Sequence, residues 1–161
     1  MTASIDFADH AKKSMNISLN NGWNLVSSPV DSFEQDLPLF LKSIDGSYGS
    51  FYLYDDGRWL SFDKDNLSSS GILTLDSDKG FWIYMDEEDV LETEGYDILN
   101  ESFELDDGLN LVSYVDLSDP LIGNRSVFTY RNGSWYSFNS YDDLSSFDEY
   151  IPGYGYFIKT Q

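Results

Sequence analysis

The feature that most constrains this chain is that it repeats itself. The block G-W-N-L-V-S at Gly22–Ser27 returns as G-L-N-L-V-S at Gly108–Ser113. Y-D-D-G-R-W-L-S-F at Tyr54–Phe62 returns as Y-R-N-G-S-W-Y-S-F at Tyr130–Phe138, 76 residues on. K-G-F-W-I-Y-M at Lys79–Met85 returns as Y-G-Y-F-I-K-T at Tyr154–Thr160, 75 residues on. Three blocks recurring in one order describe two copies of a unit, residues 16–95 and 102–161. The second copy is shorter by about ten residues between its first and second blocks. Two copies are too few for a solenoid. The stretch between them, Asp89–Gly108, is strand-like at its ends and holds no Pro/Gly/Ser-rich spacer. The expectation is a single domain over 16–161 with internal pseudo-twofold symmetry.

The middle block fixes local geometry best. Asp56-Gly57 and Asn132-Gly133 suit two-residue type I′ turns, whose central positions both need positive φ. Pairing outward from the turns matches Tyr54 with Trp59 and Tyr130 with Trp135, and directly paired residues share a face. One face of the first hairpin is then Phe51, Leu53, Leu60 and Phe62; the other is Tyr52, Tyr54 and Trp59. In the second hairpin the faces are Val127, Thr129, Tyr136 and Phe138 against Phe128, Tyr130 and Trp135. Strands are also predicted on either side of Asn21-Gly22 (Ile17–Leu19, Trp23–Ser28) and of Asp107-Gly108 (Phe103–Leu105, Leu109–Tyr114), and over Phe81–Met85 and Tyr156–Lys159. Five or six short strands per copy predict an all-β fold, an antiparallel sandwich or barrel. The extra segment of the first copy, Leu37–Ile44, predicts a helical turn or two, with Asp36 as N-cap and Pro38 at the start.

Aromatic residues make up 17% of the chain, too many for a disordered acidic tail. The net charge is −20, from 9 basic and 29 acidic residues. Such a field repels phosphate backbones and anionic lipid, so neither a nucleic-acid partner nor membrane docking is expected. No run of 18 apolar residues is present, so no membrane-inserted helix is expected either. Cysteine is absent, which removes disulfides, thiolate ligands and a cysteine nucleophile. The unpatterned residues 1–15 are expected to form an arm or linker. They hold the sole histidine, His10, a poor placement for a Ser-His-Asp triad.

Two residue groups invite a functional reading. Tyr52, Tyr54 and Trp59, with Phe128, Tyr130 and Trp135, form matched clusters beside the hairpin tips. Between two sheets they would be core. Exposed, they would be a platform with polar edges, fit to stack on sugar rings or to grip a protein partner. Asp63 and Asp65, and Asp76 and Asp78, place carboxylates at alternate positions, a spacing that would suit calcium. The alternative is that they line turns and cap backbone groups. Beyond calcium, no cofactor is expected.

The first copy resembles a module that recurs, often in tandem, in secreted and surface-anchored proteins of archaea and bacteria. Its outline is L-x-x-G-W-N-L-(I/V)-S-x-P, then Y-D followed by W-x-x-(Y/F), then a glycine-led aromatic strand. The matches are Leu19, Gly22–Ser27, Pro29, Tyr54-Asp55, Trp59, Phe62 and Lys79–Met85. The second copy departs from it in having Leu109 for the tryptophan and no proline after its first block, yet Pro152–Ile158 fits the closing pattern. The resemblance implies a non-catalytic module of a cell-surface or adhesin-like protein, outside the cell, that binds a protein or glycan partner or acts as a spacer. The alternative is a carbohydrate-binding module of a secreted hydrolase.

Overall fold

The computed structural model describes residues 11–97, 105–115, 117, 125–139 and 145–160. Both Asx-Gly turns take the backbone their sequence predicts. Asp56 and Gly57 have φ of 48° and 72°, and Asn132 and Gly133 have 49° and 81°. Positive φ at both central positions matches the right-handed twist of the flanking strands, so each turn closes a tight hairpin. The first joins β4 (Tyr48–Asp55) to β5 (Arg58–Phe62), and the second joins β9 (Ser126–Arg131) to β10 (Ser134–Phe138). Their registers, Tyr54↔Trp59 through Phe51↔Phe62 and Tyr130↔Trp135 through Val127↔Phe138, are those the turns predict.

Each hairpin grows into a four-stranded antiparallel sheet with the same strand order. β2 (Gly22–Ser27) and β6 (Gly80–Met85) complete the first as β2-β6-β4-β5. β8 (Leu109–Val112) and β11 (Tyr156–Lys159) complete the second as β8-β11-β9-β10. Pairings match as well: Trp82 lies between Leu25 and Tyr52, and Phe157 between Leu111 and Phe128. The all-β, sandwich-type architecture expected from the sequence is what the chain forms.

The halves differ in what covers their inner faces. In the first, β1 (Lys12–Leu19), β7 (Asp89–Asp97) and β3 (Val30–Ser32) make a further sheet in the order β1-β7-β3. Leu19 and Leu91 from that sheet pack with Phe51, Leu53, Phe81 and Ile83. Helix α1 (Leu37–Phe40) and the 3-10 turn Lys42–Ile44 add Leu37, Phe40, Leu41 and Ile44 to the same core. Asp36 caps α1 by accepting from the Leu39 N–H at 3.4 Å, and Pro38 occupies the first turn, where a missing N–H costs nothing. In the second half Val127, Tyr156 and Ile158 pack instead with Val112, Val115 and Phe147.

Three expectations need correction. Residues 12–15 are not an arm: Lys12 through Met15 pair with Tyr96 through Thr93 in β1. The segment is polar because β1 is an edge strand held by its backbone ladder, with Lys12 and Lys13 paired to Glu94 and Asp97. Residues 1–10, His10 included, lie outside the described residues. The strand count is unequal, seven in the first half and, among the described residues, four in the second. Leu105 lies in no strand; Phe103 and Glu104 lie outside the described residues.

The two four-stranded sheets meet through reciprocal contacts. The N–H of Ser27 donates to the carbonyl of Gly153 at 3.0 Å, and that of Ser113 donates to the carbonyl of Asp78 at 3.0 Å. Val26 bridges Tyr154 while Val112 bridges Lys79. A contact that returns with its partners exchanged is the mark of a twofold relation. Gly80 and Gly155 face one another near its centre. A Cβ on Gly80 would lie 2.9 Å from Leu111 Cδ1, and one on Gly155 would lie 3.0 Å from Leu25 Cγ. Only glycine lets the backbones approach so closely, which explains why each closing block opens on that residue.

Candidate binding site

Alternation along the strands puts two kinds of residue on opposite faces of each four-stranded sheet. Phe51, Leu53 and Phe62 are buried inward, and Tyr52 and Trp59 point out with 38% and 52% of their surface exposed. In the second sheet Val127 and Thr129 are buried inward, and Phe128 and Trp135 are 38% and 56% exposed. These four rings are not core. Tyr54 and Tyr130 are half-buried, because the two outer faces touch at their centres. Leu25, Leu111 and Phe157 form a small apolar cluster there, with Tyr54, Trp82 and Tyr130 packed around it.

The ring contacts around this cluster are reciprocal too. Tyr54 meets Trp59 edge-on with centroids 5.1 Å apart, and Tyr130 meets Trp135 in the same way at 5.4 Å. Trp59 of the first hairpin reaches Phe157 of the second half at 6.4 Å. Trp135 of the second hairpin reaches Trp82 of the first half, the counterpart of Phe157, at 5.8 Å. Trp23 then breaks the symmetry, since Leu109 stands at its equivalent position. It packs on Trp82, Tyr84 and Tyr52 at 6.1, 5.2 and 6.0 Å. The result is an open cleft of about 470 Å³ lined by Trp23, Tyr52, Trp59, Trp82 and Tyr130. Tilted and edge-on packing locks each ring, so the cleft is preorganised.

The structure thus brings Tyr52, Trp59 and Tyr130 to one cleft, sets Tyr54 and Trp135 against it, and leaves Phe128 on the far flank. Sequence reasoning missed Trp23 and Trp82. The alternation in G-W-N-L-V-S and G-F-W-I-Y-M carried the signal, since the indoles share a face once Trp23 is opposite Tyr84 and Leu25 opposite Trp82. It also missed a serine latch that recurs in both halves. The N–H of Asp63 donates to Ser70 Oγ at 2.8 Å, and that of Asn139 donates to Ser145 Oγ at 3.0 Å. Gly71 N–H to Ser61 O and Ser146 N–H to Ser137 O then cover the outer edges of β5 and β10.

The four aspartates do not converge. Asp63 Oδ1 accepts from the N–H groups of Asp65 and Asn66 at 2.9 and 3.2 Å, which makes it a turn cap. Asp65 and Asp76 are exposed. Asp78 Oδ1 is buried without a partner, and burial raises the Asp78 carboxyl above its ordinary value. Among the described residues no three His, Cys, Asp or Glu side chains come together in a way that could hold a metal ion.

No protein-family model, curated protein or solved structure matches the chain. The kinship suggested by the repeated motifs therefore rests on those motifs, and the function has to be argued from the cleft.

Proposed function

We propose that this chain is a non-catalytic binding module of an extracellular or cell-surface protein, built from a duplicated unit, that holds a glycan on the aromatic cleft between its two halves. The observation that carries the reading is five rings, packed tilted or edge-on against one another and their neighbours, lining an open cleft of about 470 Å³. That volume falls in the range typical of small-ligand sites, about 300–1,000 Å³. A protein partner would need a broader contact, about 800 Å² on each side. Indole and phenol faces stack on the C–H faces of sugar rings. A second cleft shares Trp23 and Tyr130 with the first and supplies Asn16, Asn20, Asn132 and Arg131, donors and acceptors suited to sugar hydroxyls. Among the described residues the cleft offers tyrosine hydroxyls and no carboxylate, imidazole or ammonium group, which favours binding over acid–base chemistry.

The test is a glycan array followed by calorimetric titration of the full chain. Trp59→Ala is expected to weaken the bound oligosaccharide about tenfold or more, as loss of an aromatic anchor does. Because Trp59 is half exposed, its melting temperature should stay within a few degrees of the parent. A chain that binds no oligosaccharide at millimolar concentration would sink the glycan reading.

A further inference from the structure

The twofold relation creates a pair of equivalent side clefts at the junction of the halves, and the two have opposite electrostatics. One is closed down to about 20 Å³ and carries Asp55, Asp56, Asp78, Lys79 and Asp106. Lys79 Nζ donates to Asp55 Oδ1 at 2.8 Å across it. Burial works against the Lys79 charge, but the Asp55 hydrogen bond and the Asp78 and Asp55 carboxylates outweigh it and raise the ammonium above its ordinary value. This cleft is occupied by its own ion pair.

The other cleft is open, at about 270 Å³. Equivalence along the two repeats puts Arg131 where the first has Asp55, Asn132 for Asp56, Gly153 for Asp78, Tyr154 for Lys79, and Asn20 for Asp106. All four carboxylates are gone. Among the described residues lining the open cleft none is acidic, in a chain with 29 acidic residues. Among the described residues Arg131 has no carboxylate partner: its guanidinium lies 4.5, 5.3 and 5.9 Å from the ring centres of Tyr154, Phe147 and Tyr156, and Nη2 donates to Tyr156 Oη at 3.0 Å. Its Nε is buried and has no hydrogen-bond partner among the described residues. Beside it Asn20 Nδ2 donates to Asn132 Oδ1 at 3.1 Å and ties the halves together at the mouth.

The chain's net charge of −20 repels anions at long range, but salt screens that field beyond about 8 Å, so the groups lining the cleft decide what it holds, and those described are non-acidic and include Arg131. We infer that the open cleft is a subsite for a carboxylate on the ligand, with Arg131 as the anchor, so that the glycan held on the rings carries an acidic sugar. This rests on the glycan reading above and extends it. With Nε buried and one Nη2 hydrogen given to Tyr156, the remaining Nη hydrogens are the donors left for a carboxylate, and Asn20 and Asn132 can bond the neighbouring hydroxyls. Trp23 and Tyr130 line both clefts, so one oligosaccharide can stack on the rings and reach Arg131 with the adjoining residue.

The experiment titrates the full chain with oligogalacturonate, hyaluronan oligosaccharides and sialyllactose, each beside its methyl ester, in which the charge is removed and the skeleton kept. At least one acid should bind about tenfold tighter than its ester, the scale of a charge-assisted hydrogen bond. Arg131→Gln should erase that preference and leave the ester unchanged. Asn132→Asp is the second variant. It copies Asp56, which sits in the same turn with the same backbone angle, and it keeps the acceptor for Asn20, so folding is not at stake. It should weaken the acid several-fold and spare the ester. Equal binding of acids and esters, or a preference that survives both variants, overturns the inference while leaving the glycan reading intact. Loss of all glycan binding, neutral oligosaccharides included, overturns both.

Discussion

The two halves share a strand order and a register, and they differ most where they face inward. The first half closes its inner face with a three-stranded sheet and a short helix, the second, among the described residues, with Val112, Val115 and Phe147. At the junction the similarity is close. Asn24 Oδ1 accepts from the Asn20 N–H at 3.0 Å, and Asn110 Oδ1 accepts from the Asp106 N–H at 2.9 Å. Each amide also donates to the carbonyl of that same residue, at 2.8 and 2.9 Å. An inner face can be covered by any apolar segment that fills the volume, because burial has no direction. A junction made of paired hydrogen bonds and glycine-limited approach has only one geometry, and a change on one side must be met on the other. The side clefts lie just beyond that constraint, so their charges were free to part.

Three measurements can break or sharpen this comparison. The largest effect belongs to Leu25 and Leu111, equivalent residues 1% and 2% exposed at the centre of the junction. Leu25→Ala and Leu111→Ala should each cost about 2–5 kcal/mol in denaturant unfolding. Reciprocity also requires the two losses to be alike, closer to each other than the span of about 2.7–5.0 kcal/mol that leucine truncations show across unlike sites. A wide gap would mean that one half carries the junction. Next come Gly80→Ala and Gly155→Ala. Each forces a methyl against a leucine side chain and a backbone carbonyl, and each should cost about 1–3 kcal/mol. Gly71→Ala is the control: its Cβ would meet Leu60 Cδ2 at an ordinary 3.4 Å, so little loss is expected.

The smallest effect probes the charge difference between the clefts. Asp78 has a raised pKa in the folded state, so the folded chain holds that proton more tightly than the unfolded chain does. Its contribution to stability therefore improves as pH falls through the folded value and is least favourable at neutral pH. Asp78→Asn should raise the melting temperature slightly at pH 7, and the gain should shrink as pH is lowered into the carboxylate range. A gain that stays constant with pH would show that the buried oxygen, rather than its charge, is what the cleft tolerates poorly.

Much of this was legible along the chain. Asp56-Gly57 and Asn132-Gly133 specified their turns, and each turn specified its register, because a two-residue loop leaves no slack. Asp36 and Pro38 announced α1, since capping and a fixed φ act within one turn of backbone. The aromatic faces could be read from alternation. What alternation could not say is which face would be covered, and so Tyr52, Trp59, Phe128 and Trp135 could be read as core, which the structure shows them not to be. The serine latches were hidden for a different reason: Ser70 and Ser145 act through backbone groups that are near only after the loops fold back.

The sequence by itself determined the two hairpins with their registers and the strands around the repeated blocks. Those depend on local dihedral preferences and a period of two, which are properties of neighbouring residues. Only the tertiary structure decided that the outer faces meet around Leu25 and Leu111, that Trp23 and Trp82 complete one cleft with Tyr130 from the other half, and that Arg131 and Asn20 line a cleft with no carboxylate among the described residues. Those depend on how two sheets dock, a matter of shape between residues far apart in the chain, and no local pattern encodes it.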